Sequence, residues 1–439
     1  MATEATTTSF GYWVRRRRLA LDLTQADLAR AVNCATVTIA KIERDERRPS
    51  RQMAALLAEQ LAVPAGERTR FLAAAMGEIA VDRLALNNEV LQAPPPKSDR
   101  LSGNLPTPAT PFVGRESELS QLAAALADPT CRLLTLLGAG GFGKTRLAIC
   151  LGERAMAAPE QFPDGVFFVA LEGLEGGEFL VPAAAAALAF SFYEQEDQER
   201  QLLGYLAPKR LLLILDNAEG ILDPDVVLRM LAAAPGVRLL VTSRESLNLQ
   251  QEWLHPIGGM DVDSANNSGG EEDRRDRQQP EPDAVLLFRQ CALRVQPTFD
   301  LERELVHVRH ICRLVEGAPL AIELAATWLK ALPCSQVARE LTRGIDLLAT
   351  SMRDVPLRHR SMRAVLEQSW GYLAEDEQQV FRQLSIFEGG FRLEAAQAVV
   401  EAPLRVLAAL AAKSMLQLDP DGRYHIHALL RQLGAEHLA

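Results

Sequence analysis

The chain has 439 residues, a formal net charge of −10, 48% apolar side chains and 24% charged ones. That length holds about three domains of roughly 150 residues each, and that apolar content supplies ordinary packed cores. The acidic balance excludes a protein that coats nucleic acid along its whole length, though not one that carries a single basic module. The six cysteines (Cys34, Cys131, Cys150, Cys291, Cys312 and Cys334) form no C-x-x-C pair and no His–Cys cluster with metal spacing. They read as inert thiols in a reducing compartment. No run approaches the ~18 uninterrupted apolar residues of a membrane helix, and the short apolar run after Arg15–Arg18 is broken by Asp22. The expectation is a cytoplasmic protein without a membrane partner.

Up to the Pro-rich stretch that begins at Gln92 the pattern is helical, with no strand-like run. Thr24 is placed to N-cap a helix that starts at Gln25; Asn33-Cys34 gives a turn, and Thr36 to Glu43 forms the next helix. Helical periodicity sets Ile39 and Ile42 inward with Leu28 and Val32, and leaves Thr36, Val37, Ala40 and Lys41 outward. Between Arg15 and Arg51 there are ten basic and five acidic residues, an excess opposite in sign to the whole chain. Local positive charge supplies the salt-dependent attraction to phosphate. The outward face has apolar Val37 and Ala40 to meet thymine methyls, with Thr36 and Lys41 for polar contacts. Gln25, at a helix N-terminus, is placed for a phosphate, and Arg44 completes the DNA-contacting set. No Asn or Gln on that face can grip an adenine edge, so modest sequence specificity is expected.

Gln92 to Pro111 contains Pro94-Pro95-Pro96, Gly103, Pro106 and Pro108, and reads as a semi-stiff linker. Short apolar runs then alternate with helical stretches: Leu133 to Leu137, Val166 to Ala170, Leu211 to Leu215 and Leu239 to Thr242. Such runs suit strands of a parallel sheet buried on both faces. Between the first run and the following helix lies Gly138-Ala139-Gly140-Gly141-Phe142-Gly143-Lys144-Thr145, a G-x-x-x-x-G-K-T loop. Glycines let the backbone curl its N–H groups inward around phosphates. Lys144 brings positive charge to the terminal phosphates, the Thr145 hydroxyl ligates Mg²⁺, and the helix N-terminus that includes Arg146 adds its dipole. Asp216 ends an apolar strand and is expected to help hold Mg²⁺ beside that loop. The next residue, Asn217, is an amide where many ATPases have a water-activating acid. This implies slow hydrolysis, or hydrolysis through another carboxylate such as Glu219. Arg244, at the end of a further strand, can report on a γ-phosphate. Gly258 to Pro282 reads as a long mobile loop; helices follow, then a hairpin around Asp419-Pro420-Asp421-Gly422.

With the P-loop, the strand ending in Asp216, Val241-Thr242-Ser243-Arg244 and Gly317-Ala318-Pro319-Leu320-Ala321 in view, residues 111–439 resemble the STAND signal-transduction ATPases, and among them the NB-ARC branch. Val113-Gly114-Arg115-Glu116 matches the opening of that module. The resemblance implies that Arg115 sits near adenine and ribose and that Pro319 packs on the base. It also implies that His427, in Ile426-His427-Ala428, contacts the ADP β-phosphate from a C-terminal winged helix that packs on the nucleotide domain rather than on DNA. The flanking Met and Asp of the family's motif are missing here. Residues 10–75 resemble the Cro/repressor-type helix-turn-helix, most specifically in Ile42-Glu43-Arg44-Asp45-Glu46-Arg47-Arg48-Pro49-Ser50, where Asp45 stands at a site that is often Gly.

The expected architecture is multidomain: an all-α helix-turn-helix (1–90), a linker (91–111), an α/β P-loop NTPase with a parallel sheet (112–260), a loop (261–283), a helical domain (284–355) and a winged helix (356–439). The expected function is an ATP/ADP-switched transcriptional regulator, a slow ATPase acting as a switch. Its expected partners are double-stranded DNA, further copies of itself once ATP is bound, and an inducer the sequence does not identify. The alternative is a defence-type signalling ATPase whose N-terminal module recruits a protein. Relatives usually continue into a repeat-rich sensor, so either that sensor is absent or the chain is a fragment.

Overall fold

The computed structural model describes residues 10–76, 103–263 and 281–438, except residues 22, 33, 44, 46, 65, 175, 193–196, 221–222, 353–355 and 357–358. Arg44, the Asn33 turn, most of the expected linker and most of the expected central loop therefore lie outside the described residues. The chain divides into two units, Met1–Arg100 and Leu101–Ala439.

The first unit contains α1 (Phe10–Ala20), α2 (Gln25–Ala31), α3 (Thr36–Glu43), α4 (Arg51–Gln60) and α5 (Arg68–Met76). Thr24 caps α2 in a reciprocal box with Asp27: the Asp27 amide donates to the threonine hydroxyl and the Asp27 carboxylate accepts from the Thr24 amide. Trp13, Leu28, Val32, Ile39, Ile42, Leu57, Leu61 and Phe71 share one core. Helix α1 comes so close to the end of α3 that a Cβ on Gly11 would lie 2.3 Å from the Ile42 carbonyl oxygen. Asp45 takes the left-handed position after α3 with φ 58°. Its carboxylate accepts the Gly11 amide at 2.7 Å, a contact no glycine could make.

The arginine run of α1 is not a simple phosphate-facing stripe. Arg18 is buried and grips the Glu43 carboxylate with Nε and Nη2, 2.5 and 3.1 Å away. Arg17 donates to the Leu61 and Ala62 carbonyls at the end of α4. Both are committed to holding the unit together, so part of the charge excess read from the sequence is spent internally.

The second unit opens with α6 (Glu116–Ala127). It continues through β1 (Leu133–Leu137), α7 (Lys144–Met156), β2 (Val166–Ala170), α8 (Leu180–Ala187), α9 (Gln198–Leu206), β3 (Leu212–Asp216), α10 (Pro224–Ala233), β4 (Arg238–Ser243) and β5 (Glu252–Pro256). The five strands form one parallel sheet in the order β2-β3-β4-β1-β5. Alternate residues of β3 enter opposite cores, Leu212 and Ile214 on one side, Leu213 and Leu215 on the other, which is why the strand reads as an uninterrupted apolar run. Residues of the expected linker belong to this unit. Gly103 bridges to Val166, and the Asn104 side chain donates to and accepts from the Phe168 backbone, at 2.9 and 2.6 Å.

Helices then follow: α11 (Asp283–Val295), α12 (Leu301–Leu314), α13 (Pro319–Thr327), α14 (Cys334–Leu341), α15 (Met362–Gly371), α16 (Glu375–Leu384), α17 (Leu393–Val400) and α18 (Leu404–Ala412). The hairpin of β6 (Gln417–Leu418) and β7 (Tyr424–His425) precedes α19 (Ala428–Leu438). One continuous apolar core runs from the sheet face through these helices to Leu433. Among the described residues no single helix is long and apolar enough to cross a membrane.

Candidate functional site

The loop between β1 and α7 curls tightly. Gly141 and Gly143 have φ of 84° and 83°, left-handed values that suit glycine. Neighbouring elements close over it. A Cβ on Gly140 would meet Val365 of α15 at 2.5 Å, one on Gly141 would meet Met362 and Leu320, and the Leu320 amide donates to the Gly141 carbonyl at 3.2 Å. Beneath this cover lies a cavity of about 600 Å³. Gly140, Gly141, Gly143, Lys144, Thr145, Arg146, Asp216, Arg244 and Pro319 all line it, so the fold brings together most of the site residues read from the sequence.

Lys144 donates to the Gly138 and Ala139 carbonyls at 2.6 and 3.0 Å. Enclosure by protein pushes its ammonium down to about 8, with Glu219 opposing that shift and Arg244 adding to it. Asp216 Oδ1 accepts from Thr145 Oγ1 at 2.7 Å and from Thr242 Oγ1 at 2.6 Å. Burial raises the Asp216 carboxyl, and these two hydroxyls counter it. The Arg244 guanidinium has four hydrogen-bonding or ion-pair partners: Glu219 Oε1 2.9 Å from its Nε, Ser369 Oγ 2.7 Å and the Val365 carbonyl 3.5 Å from Nη1, and Gln368 Oε1 2.7 Å from Nη2. One guanidinium thus joins the end of β4 to α15.

Three expected site residues do not line the cavity. Gly138 contributes its carbonyl to Lys144, while its own amide pairs with the Ser243 carbonyl. Arg115 is buried elsewhere: Nη2 donates to the Gly258 carbonyl at 2.7 Å and Nε lies 3.7 Å from Glu118. Its role here is to tie the start of α6 to the chain after β5. His427 stands behind the loop rather than in the cavity, edge-on to Phe142.

In the first unit Thr36, Val37 and Lys41 are exposed and Ala40 is half-buried, with Val37 keeping 64% of its surface. Gln25 is turned inward, donating to Glu43 Oε2 at 2.7 Å, which leaves only the rest of its amide for a phosphate.

Thr242 was missed as a site residue. A hydroxyl inside an otherwise aliphatic buried strand needs a partner, and that requirement was the available signal. Glu323 also lines the cavity and was missed; an acid in the apolar Pro319-Leu320-Ala321-Ile322-Glu323-Leu324 run was the corresponding clue. Burial raises its carboxyl, opposed by Arg146 and Arg294.

Residues 14–67 match the helix-turn-helix family model HTH_3. A Mycobacterium bovis protein whose name describes it as an HTH-type transcriptional regulator is 33% identical over 271 residues, 61% of this chain and 28% of its own length. The regulatory protein AfsR of Streptomyces coelicolor is 29% identical across 94% of this chain and 43% of its own. The chain carries an N-terminal helix-turn-helix and is similar to regulatory proteins along most of its length. It spans less than half the length of either relative. A solved STAND protein with a tetratricopeptide-repeat sensor, from Pyrococcus horikoshii, is similar over 76% of this chain and 43% of its own, at 17% identity and a TM-score of 0.33.

Proposed function

We propose that this protein is a STAND ATPase of the NB-ARC branch and an ATP/ADP-switched transcriptional regulator. The first unit binds duplex DNA through the outward face of α3, and the cavity holds ADP or ATP with Mg²⁺. Exchange of ADP for ATP promotes oligomerisation. The donor set fits the ion: Thr145 Oγ1 and Asp216 Oδ1 are hard oxygens 2.7 Å apart, and Mg²⁺ takes few protein ligands beside phosphate oxygens. When bound, Mg²⁺ neutralises charge on the phosphates. Lys144 and the loop amides bind the phosphates, and Pro319, at the first turn of α13, packs on the base. The chain after α14 acts as the winged helix.

Arg244 carries the reading. A guanidinium held between a site carboxylate and α15 is a contact for which a γ-phosphate would compete. ATP and ADP would then bind the two arrangements of α15 with different affinity, which a ligand-driven switch requires.

The test is duplex-DNA binding over a salt series with ADP-loaded, ATP-loaded and Lys144→Ala protein. The expected result is a steep salt dependence, tighter binding with ATP, and loss of the nucleotide difference in the variant. If no nucleotide state binds DNA above background, the regulator reading fails and a protein partner for the first unit takes its place.

A further inference from the structure

We propose that Glu219 is the carboxylate that activates water in this site, the role Asn217 cannot fill; the proposal rests on the nucleotide reading above. The chain leaves β3 through Asn217 in a left-handed conformation, φ 62°, with the Asn217 amide donating to Thr242 Oγ1 at 2.9 Å. The Ala218 amide then bonds to the Thr242 carbonyl at 3.0 Å. This turn brings Glu219 back to the cavity that Lys144, Thr145 and Asp216 line. Its side chain is only 3% exposed. Oε1 is taken by Arg244. Oε2 is buried with no hydrogen-bond partner. A buried carboxylate oxygen is costly to leave unmet. Here it has a use: its lone pairs can accept a proton within the space that receives phosphate.

The charged groups around it are Arg244 just after β4, Lys144 from α7 and Asp216 from β3. Asn217, an amide, cannot accept a proton at neutral pH. In the proposed step a water oxygen bonds to the terminal phosphorus of ATP as the bond from that phosphorus to the bridging oxygen breaks. The water proton moves to Glu219 Oε2 and is then returned to the departing phosphate, leaving ADP and inorganic phosphate. The competing view is that Glu219 only neutralises Arg244.

The experiment uses the full chain with Glu219→Gln and Glu219→Asp, and three readouts: single-turnover ATP hydrolysis, equilibrium affinity for ADP, and equilibrium affinity for ADP with aluminium fluoride. Glu219→Gln should slow turnover by about 100-fold and lose the extra affinity for the fluoride complex, with ADP affinity unchanged. Glu219→Asp, which keeps the charge on a shorter stem, should show a smaller loss. Turnover at the wild-type rate in Glu219→Gln overturns the proposal. So does an equal loss of ADP and fluoride-complex affinity, or a wild-type protein that binds ADP but does not hydrolyse ATP. If Glu219→Gln does not fold, wild-type turnover in Glu219→Asp overturns it. A wild-type chain that binds no ADP fails one step earlier, at the nucleotide reading itself.

Discussion

His427 meets Phe142 ring edge to ring face, with centroids 4.8 Å apart and planes at 80°. Its Nδ1 accepts the Leu429 amide at 3.3 Å, which puts the proton of the neutral ring on Nε2. Nε2 is 3.6 Å from Glu316, whose carboxylate accepts the Ala428 amide at 3.0 Å. Burial lowers this imidazole and Glu316 opposes the shift, so the ring packs in neutral form. In this arrangement His427 touches the glycine-rich loop through Phe142. His427→Ala and Phe142→Ala should therefore each speed ADP release, and the double variant should be little faster than either single one. The coupling should be about 1 kcal/mol, the usual value for an edge-to-face pair. Additive effects on the ADP off-rate would restore the direct phosphate contact.

The Arg18–Glu43 pair should matter more for stability than any surface charge of the first unit. Its side chains are 6% and 1% exposed, and Gln25 and the Leu23 carbonyl complete its hydrogen bonding. Removing one partner strands the other charge in the core, at a cost of about 3–5 kcal/mol. Glu43→Ala should sharply lower amide-exchange protection across α2 and α3, whereas Arg30→Ala, which breaks an exposed pair with Asp27, should leave it intact. Equal protection in both variants would show that the buried pair is dispensable.

Nucleotide affinity should depend on pH through Lys144. Its ammonium, pushed down to about 8, is partly neutral in mildly alkaline solution. A phosphate favours the charged form, so nucleotide binding above pH 8 must take up a proton. ADP affinity should be level below the depressed value and fall as the pH rises through it. Titration calorimetry in buffers of different ionisation enthalpy should register the uptake at pH 8.5 and not at pH 6.5. Lys144→Met should bind ADP weakly at both pH values with no linked proton. Uptake that persists in Lys144→Met would place the titrating group elsewhere.

Much of this was legible in the chain itself, for identifiable reasons. Apolar runs such as Leu212-Leu213-Ile214-Leu215 mark strands because both faces are covered, and the glycine-rich loop declares itself by spacing. Strand β5 was not legible: Glu252-Trp253-Leu254-His255-Pro256 lies at the sheet edge, is mostly exposed and lacks the aliphatic run. Arg18 looked like one of four equivalent arginines, because only the packing of α1 on α3 separates it from the others. The positions of Arg115 and His427 depend on long-range partners, Gly258 and Phe142, that no local pattern announces.

The contact between Arg244 and α15 should set the preference for ATP over ADP. Ser369 and Gln368 supply two hydrogen bonds to a charged guanidinium that also pairs with Glu219. Bonds to charged groups are worth about 1.5–3 kcal/mol each, and solvent exposure at Gln368 puts its bond at the lower end. Neither side chain belongs to the phosphate loop, so Ser369→Ala with Gln368→Ala should leave ADP binding to the loop intact while freeing Arg244 for a third phosphate. The ratio of ATP to ADP affinity should rise by about a hundredfold, since two such bonds total about 3 kcal/mol and 1.4 kcal/mol is a factor of ten. Equilibrium titration of both nucleotides into the double variant measures it. An unchanged ratio would mean that α15 is held by its apolar contacts, Met362 and Val365 against the loop glycines, and that Arg244 follows the helix instead of controlling it.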